Sequence, residues 1–450
     1  MMVKRSSIYG IIAGIAYSYN VINILMYCFG MHERAGMRLL VFWGGLCFIA
    51  CAIIIAFIKN VLSRISKGTL IITITILGLT VPAILFSGRK GVYSVYIDNM
   101  LVYMLISVPM LFAGVLVGQR RCERSFEMSI DRISFLVIPA SLYYVFGRLT
   151  GLTGTDFGFI SYMVFAFTIL PFLMIKIIKI TQKNSKKIWD VITTVLFLTA
   201  ILLSGTRSAY VTILTGLIAL IIVRRKQGRS VGIIAAAILF ILVFTWFNLC
   251  IWTIPGFEAI NRFRPFLKGL LKGELVTSYT GYSNGYTTES IHRMADSLVE
   301  HGTGGLYLAN RGTLFILAIK EFLKSPLFGM GPMQYTIKYG IYPHNVYLET
   351  IAETGIIGFM PLCLITVSLL IRGWRGIGKF DKHGVMFVLA VCAMTKSMMS
   401  GNIWTSSALY FFTGYFSAIP LEVGICHSFP LYREKEEGLN YYELRYGQYD

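Results

Sequence analysis

The chain has 450 residues, of which 56% are hydrophobic and 14% are charged, and its mean hydropathy is +0.67. Repeated apolar runs of about twenty residues, the length that crosses the hydrocarbon of a bilayer, exclude a soluble globular protein. The net charge of +19 does not indicate nucleic-acid binding. The basic residues fall in short loops between apolar runs, where they report topology and contact anionic headgroups.

The apolar runs predict an all-α polytopic membrane protein with about twelve transmembrane helices. The spans 1 to 9 fall within residues 1–253, a long loop follows over 254–343, spans 10 to 12 fall within 344–425, and a tail covers 426–450. The individual runs lie near 8–29, 39–58, 69–87, 99–118, 133–149, 157–178, 188–204, 208–223, 231–253, 345–371, 384–400 and 404–425.

Lysine and arginine are concentrated in alternate loops, which predicts that those loops and both termini are cytoplasmic. The clusters are Lys4-Arg5 and the segments 59–67, 120–132, 176–187, 224–229 and 372–382. The first apolar run is too long for a cleaved signal peptide, so we expect a retained anchor. Most of the eight cysteines lie within predicted spans and show no disulfide or metal-site spacing.

The long loop is predicted to lie outside the membrane and to contain short helices, including an amphipathic one over Thr313–Lys324. Long loops in compact proteins are usually functional. Its middle segment, Ser278–Tyr286, is rich in tyrosine and glycine, which suits stacking on sugars but equally suits a solvated linker.

Two arginines are candidates for binding an anion. Arg207 lies at the outer turn of a helical hairpin, about 24 Å of helix from Arg224, and there it would need an anionic partner or reach the interface. Arg311 precedes the amphipathic helix and shares the long loop with Arg264 and Arg293, so these side chains would form an electropositive mouth for phosphate oxygens. The alternative for the loop arginines is a solvated face.

His344 and Asn345 stand where the chain re-enters the membrane. A neutral imidazole accepts a proton near neutral pH, so His344 is a candidate general base, and Asn345 a candidate substrate contact. The alternative is a helix-start residue beside an Asn345 cap. Asn345, Glu349 and Glu353 share one helix face, and Glu353, about 13 Å below His344, is predicted to form a structural ion pair with Lys396.

Three separated signatures, within about residues 190–371, resemble the family of bacterial O-antigen polymerases and O-antigen ligases of the Wzy and WaaL type. They are Ser204-Gly205-Thr206-Arg207-Ser208, then Arg311 leading to Ser325-Pro326-Leu327-Phe328-Gly329-Met330-Gly331, and His344-Asn345-Val346-Tyr347-Leu348 with Glu353, Gly355 and Gly358.

This resemblance implies a GT-C-like glycosyltransferase that uses no metal and no cofactor. The donor would be an undecaprenyl-diphosphate-linked oligosaccharide, and the acceptor a glycan or another lipid-linked unit. Arg207 and Arg311 would hold the diphosphate, and His344 would orient or deprotonate the acceptor.

The resemblance also places the protein in the bacterial inner (cytoplasmic) membrane, with its active site facing outside. The resemblance further implies a role in O-antigen, capsule or exopolysaccharide biosynthesis, among membrane lipids and with a chain-length regulator or flippase as a candidate protein partner. Polymerase is the preferred interpretation, and an O-antigen ligase is the alternative within the family.

Two other classes stay open. One is a twelve-span transporter of a sugar or lipid-linked sugar, and the other is a non-catalytic scaffold. The ionisable residues gather at the predicted outer edge instead of the midplane, which favours an enzyme over a transporter.

Overall fold

The computed structural model describes residues 5–29, 40–60, 70–71, 73–74, 78, 100–150, 160–181, 187–204, 206–226, 311–339, 342–377 and 381–419. Within these ranges the regular elements are helices, which confirms the predicted all-α class. The predicted loop helices before residue 311, the tyrosine-rich segment and the tail lie outside the described residues. The predicted spans near 69–87 and 231–253 also lie mostly or wholly outside them.

Thirteen helices are described, and two of them are preceded by a single π-helical turn. In chain order they are α1 (Arg5–Tyr17), α2 (Val21–Cys28), α3 (Gly45–Asn60, after a π-turn over Leu40–Gly44), α4 (Val108–Arg120, after a π-turn over Tyr103–Ser107), α5 (Glu123–Thr150), α6 (Tyr162–Ile180), α7 (Lys187–Ser204), α8 (Arg207–Lys226), α9 (Arg311–Lys324), α10 (Gln334–Tyr339), α11 (Val346–Gly376), α12 (Asp381–Ser400) and α13 (Ser407–Ala418).

Seven helices in the described part of the chain are long and apolar enough to cross a membrane. The pair α1 and α2 makes an eighth if it is one span, bent by 63° at residues 18–20. The outward faces of these helices carry large apolar side chains such as Phe48, Phe146 and Leu364, as lipid contact requires. The chain is therefore an all-α polytopic membrane protein.

Helices α4 and α13 form the most closely packed pair in the core. A Cβ on Gly114 would overlap the carbonyl oxygen of Phe411, and one on Gly414 would overlap that of Leu111. Small residues allow two helix backbones to approach this closely in a membrane protein. Around this pair the core is filled by buried aromatic rings, with Phe126 stacked on Phe411 at 4.7 Å between ring centroids.

The described residues of four basic segments, 120–132, 176–187, 224–229 and 372–382, lie at one end of the bundle. Asp131 on α5 forms ion pairs with Lys176 at 2.8 Å and Lys179 at 2.7 Å on α6. Arg224, at the end of α8, donates to the Ile178 carbonyl at 3.1 Å, and Lys226 donates to the Trp374 carbonyl at 2.6 Å.

Helix α5 begins about ten residues before the apolar run predicted for the fifth span. We expected a loop through residues 120–132, but α5 begins at Glu123. The first turns of α5 are polar, and hydropathy alone therefore assigned them to a loop. Their charges are paired at the end of the bundle, where Asp131 contacts two lysines, and so they extend the helix.

Candidate active site

The start of α11 is fixed by Asn345. Its side-chain oxygen accepts hydrogen bonds from the N–H groups of Tyr347 at 2.9 Å and Leu348 at 3.1 Å. These are the bonds of a helix N-cap, in which a side chain satisfies backbone donors that the first turn leaves unpaired. The capping role offered as the alternative for Asn345 is thus observed, and it occupies the side-chain oxygen.

His344, immediately before this cap, has an unusual backbone conformation. Its φ is 58°, in the left-handed region. This region is uncommon for residues other than glycine and is disfavoured by about 1–2 kcal/mol. The imidazole is half-buried and contacts the Tyr342 ring at 4.3 Å between centroids. The backbone conformation and the ring contact together fix where the imidazole projects from the end of α11.

Ten residues after the Asn345 cap, α11 is interrupted at Gly355, where φ is 61° and ψ is −161°. The break removes helical hydrogen bonds around it, and the nonapeptide 325–333, which we call the glycine loop, supplies replacements. Loop N–H groups donate to the carbonyls of Ala352 and Glu353, each at 2.9 Å. Loop carbonyls accept from Ile356 at 2.9 Å and Ile357 at 3.3 Å. All four backbone groups are thereby satisfied inside a membrane-crossing helix.

The glycines on both sides of this contact are required by its geometry. Gly329 has φ 68°, and a Cβ there would overlap the backbone of Glu353. A Cβ on Gly355 would overlap the Leu327 carbonyl. The second and third signatures found in the sequence are therefore two halves of one docked structure.

Glu353 and Lys396 do not form the predicted ion pair; the structure gives them different partners. One oxygen of the buried Glu353 carboxylate accepts from the Met333 N–H at 2.7 Å, directly before α10. The Lys396 ammonium lies over the Phe167 ring, 5.0 Å from its centroid. The predicted pair is therefore replaced by a contact between the Glu353 carboxylate and the backbone before α10. The partner differs because the glycine loop, docked at Gly355, brings a backbone donor to the carboxylate.

Glu349, one turn nearer the helix start, ties α11 to another connection. Its carboxylate is buried and accepts from the Ile403 N–H at 2.8 Å, in the turn between α12 and α13. That turn is further held by the Tyr410 hydroxyl, which donates to the Ile403 carbonyl at 2.9 Å. Two carboxylates on one face of α11 thus hold two different loops.

Helix α9, which begins at Arg311, is fastened to α10 and α11 through a buried carboxylate. Glu321 accepts hydrogen bonds from Lys324 at 2.8 Å, Lys338 at 2.9 Å and Tyr339 at 2.7 Å. Burial alone would raise the pKa of the Glu321 carboxyl, but these three donors lower it to about 2. The Tyr335 hydroxyl also donates to the Leu314 carbonyl at 2.8 Å.

The start of α8, at Arg207, is held at the same end of the bundle as the start of α11. The Thr206 hydroxyl donates to the Tyr162 carbonyl at 3.2 Å, at the start of α6. The next residue, Met163, contacts the Ser400 hydroxyl through its sulfur at 2.6 Å. Gly401 then packs against Val346, the first residue of α11. This row of contacts joins the two helix starts.

The side chains of only some of the predicted site residues are therefore described. His344 and Asn345 are described in full, whereas Arg207 and Arg311 are the first residues of α8 and α9 and their side chains are outside the described part. Arg264 and Arg293 also lie outside it. Among the described residues, no group of three or more His, Cys, Asp and Glu side chains is arranged to hold a metal ion.

The roles of Glu321 and Glu349 were not predicted from the sequence. Glu321 was visible as an acidic residue three positions before Lys324 in an amphipathic helix, which indicates a local pair. Its burial under α10 depends on the glycine loop and has no local signal. Glu349 was placed on the correct face of α11, but its partner is 54 residues away in the chain.

No curated protein matches this chain closely enough to count as a relative. Residues 192–363 match the Wzy_C family model, which is described as O-antigen ligase. This range contains α8, α9, the glycine loop and the first half of α11, and so includes every signature that carried the resemblance. Over residues 192–363, less than half of its length, the chain is thus similar to the O-antigen ligase family, which supports the resemblance seen in the sequence.

Proposed function

We propose that this protein is a polysaccharide polymerase. It transfers a saccharide from an undecaprenyl-diphosphate-linked repeat unit to a sugar hydroxyl of another lipid-linked unit. The bond between the anomeric carbon and the diphosphate oxygen breaks as the acceptor oxygen bonds to that carbon. The hydroxyl proton goes to the imidazole of His344, and the diphosphate leaves as an anion.

His344 is the observation that carries this proposal. It is a titratable side chain two residues before a membrane-crossing helix, in a left-handed backbone conformation directly before the Asn345 cap. Backbone strain persists where the surrounding structure imposes it, and such residues cluster at active sites. General bases of this kind contribute about 100- to 10,000-fold to a rate.

Arg207 and Arg311 have their proposed roles from the family signatures, and the helix packing supports them. Each begins a helix, and helix starts favour anions because their backbone N–H groups are unpaired. A guanidinium offers paired donors that suit phosphate oxygens, and its charge would stabilise the departing diphosphate. Arg264, Arg293 and the amide group of Asn345 are proposed as further substrate contacts.

The remaining features of the proposal come from the same resemblance. The enzyme needs no metal, its site faces the outside of the bacterial inner membrane, and both termini are cytoplasmic. A chain-length regulator or flippase is proposed as its partner in O-antigen, capsule or exopolysaccharide synthesis.

The second candidate is a ligase that transfers finished glycan to a terminal acceptor. The family model is itself described as O-antigen ligase, which favours this candidate. Both reactions present a hydroxyl to the same centre, so they differ in the acceptor and not in the catalytic groups.

The test is glycan analysis in cells that lack the gene and carry wild-type or variant protein at matched membrane expression. Under the proposal, His344→Ala, Arg207→Ala and Arg311→Ala leave single repeat units on the carrier or final acceptor. Long lipid-linked polymer that never reaches its acceptor would instead identify a ligase. The matched control is Arg225→Ala, an exposed arginine at the opposite end of α8, which should restore normal chains.

A further inference from the structure

A cleft near the break of the first span contains an ammonium group that the proposed reaction does not use. It lies among α1, the bend between α1 and α2, α6, α12 and the start of α13. We call it the Lys396 cleft, and the lining residues that matter here are Tyr17, Ser18, Asn20, Phe167, Lys396 and Ser407. Its position four residues before the end of α12 places Lys396 about 6 Å from that helix end.

The charge on Lys396 has no acidic partner in the described part of the chain. Its recorded contact is the face of the Phe167 ring at 5.0 Å, an arrangement that stabilises a cation only modestly. Lysine within a membrane-crossing helix is rare and normally pairs with an anion or faces a functional cavity. Lys396 lines the cleft, so its ammonium faces a space that is open to an anion from outside the helix bundle.

Ser18 provides a second and independent indication. It is only 7% exposed and lines the same cleft, yet its hydroxyl makes no hydrogen bond to any described residue. A buried hydroxyl without a partner is destabilising, because its lost hydrogen bonds to water are not replaced. A bound molecule with acceptor oxygens would satisfy this donor and neutralise the ammonium together.

The ends of two helices add polarity suited to an anion. Ser407, the first residue of α13, lines the cleft, so the partially positive start of that helix faces it. The 63° bend between α1 and α2 opens the backbone at Ser18 and Asn20. Broken membrane helices of this kind commonly form binding sites for charged groups.

We infer that the Lys396 cleft binds the phosphate group of a membrane lipid. A phosphate ester supplies several acceptor oxygens for the ammonium and the Ser18 hydroxyl, and its acyl or prenyl chain can remain in the surrounding hydrocarbon. Basic pockets between membrane helices recognise anionic headgroups in this way. Two lipids present this chemistry, a bulk phospholipid and the polyprenyl diphosphate carrier.

The test is thermal unfolding of the full-length protein, purified and delipidated in detergent, with three added probes. These are dioleoyl phosphatidylglycerol, geranylgeranyl diphosphate and inorganic phosphate, with dioleoyl phosphatidylcholine as the uncharged reference. We expect phosphatidylglycerol or the prenyl diphosphate to raise the melting temperature of the wild type. In Lys396→Met the half-effective concentration should rise at least about tenfold, since one charged contact is worth 1.4 kcal/mol or more.

Three further variants make the test specific. Lys396→Arg keeps the charge and should keep the response, and Lys59→Met, which removes an exposed lysine at the end of α3, should not alter it. Ser18→Ala retains Lys396 and should weaken the response about threefold, as expected for one lost hydrogen bond. This variant keeps the inference testable if Lys396→Met fails to fold.

The probes also separate the two lipids. A response to the prenyl diphosphate at much lower concentration than to phosphatidylglycerol assigns the cleft to the carrier, and similar responses assign it to bulk lipid. The inference is overturned if neither lipid stabilises the protein more than phosphatidylcholine does, or if Lys396→Met and Ser18→Ala both respond as the wild type does. If inorganic phosphate alone raises the melting temperature as much as the lipids do, the ligand of the cleft is not a lipid.

Discussion

His344 combines a reactive side chain with a backbone conformation that glycine would adopt more easily. These two properties can be separated by His344→Gly. The glycine relieves the left-handed strain of about 1–2 kcal/mol, and it also removes the imidazole and its contact with Tyr342. We expect a melting temperature equal to or above that of the wild type, measured in detergent, together with loss of glycan extension in cells. A parallel loss of stability and glycan would assign His344 a structural role.

Glu353 and Lys396 provide a second prediction at the level of single residues. Because the carboxylate binds the Met333 N–H and the ammonium lies over Phe167, substitutions at the two positions should act independently. In a cycle of Glu353→Gln, Lys396→Met and the double variant, we expect the stability changes to add within about 0.5 kcal/mol. A coupling energy above about 1 kcal/mol would instead support the Glu353–Lys396 ion pair that the sequence suggested.

Glu321 predicts how stability depends on pH. Burial would raise the pKa of its carboxyl, but the donors Lys324, Lys338 and Tyr339 lower it from 4.5 to about 2. A carboxyl with a lowered folded-state pKa stabilises the fold above its unfolded pKa and loses that contribution as the pH falls. We expect Glu321→Gln to be less stable than the wild type by about 1–3 kcal/mol at pH 7. The difference should shrink between pH 4.5 and 2.

The control for this prediction is Glu321→Gln measured at pH 7 in low and high salt. The Glu321 side chain is 6% exposed, so salt should screen its contacts weakly and leave the difference largely unchanged. A difference that persists undiminished to pH 2 would show that charge on Glu321 does not stabilise the fold.

The contact between the glycine loop and the break in α11 determines the arrangement of the site. It holds α10 beneath α11 and places Glu353 on the Met333 N–H. We expect Gly329→Ala and Gly355→Ala each to lower the melting temperature by several degrees, because a Cβ would overlap the opposite backbone at a positive φ. Glycan extension should fall with it.

Gly376 is the matched control because it ends the same helix. A Cβ there meets the His383 side chain at an ordinary 3.6 Å. We expect Gly376→Ala to retain stability and glycan extension. If Gly355→Ala and Gly376→Ala change the melting temperature equally, docking of the glycine loop does not stabilise the protein.

The N-cap of α11 leads to a prediction about both stability and glycan extension. Asn345→Ala removes the oxygen that accepts from Tyr347 and Leu348, and should destabilise the protein by about 1 kcal/mol. Asn345→Asp keeps that oxygen and should keep the stability. If Asn345→Asp is as stable as the wild type but fails to extend glycan, the amide group contacts substrate, as proposed. Normal extension by Asn345→Asp would limit Asn345 to capping.

The sequence predicted what depends on nearby residues and failed where distant segments meet. The Asn345 cap and helix α9 follow from local pattern, and the four-residue spacing correctly placed Glu349 and Glu353 on one face. Their partners, Ile403 and Met333, could not be predicted because a broken helix and a docked loop bring them close. Glycines at positions 329 and 355 indicated turns but not that the two turns bind each other.

The two ends of the helix bundle differ in their chemistry. One end holds ion pairs and basic residues such as Lys176 and Arg224, which stabilise the packing of α5, α6 and α8. The other end collects the starts of α6, α8 and α11 with the turn after α12. The proposed reaction belongs to this second end, where His344 projects and where the helix begun at Arg207 is fixed.

The most direct test of this assignment is the transfer rate of the purified enzyme with lipid-linked repeat units isolated from its host. The compared proteins are the wild type, His344→Gly and His383→Gly, whose histidine lies near the Tyr415 hydroxyl at the basic end. We predict a rate at least about 100-fold lower for His344→Gly, with folding retained, and a nearly normal rate for His383→Gly. A normal rate in folded His344→Gly would contradict the assignment of His344 as the general base.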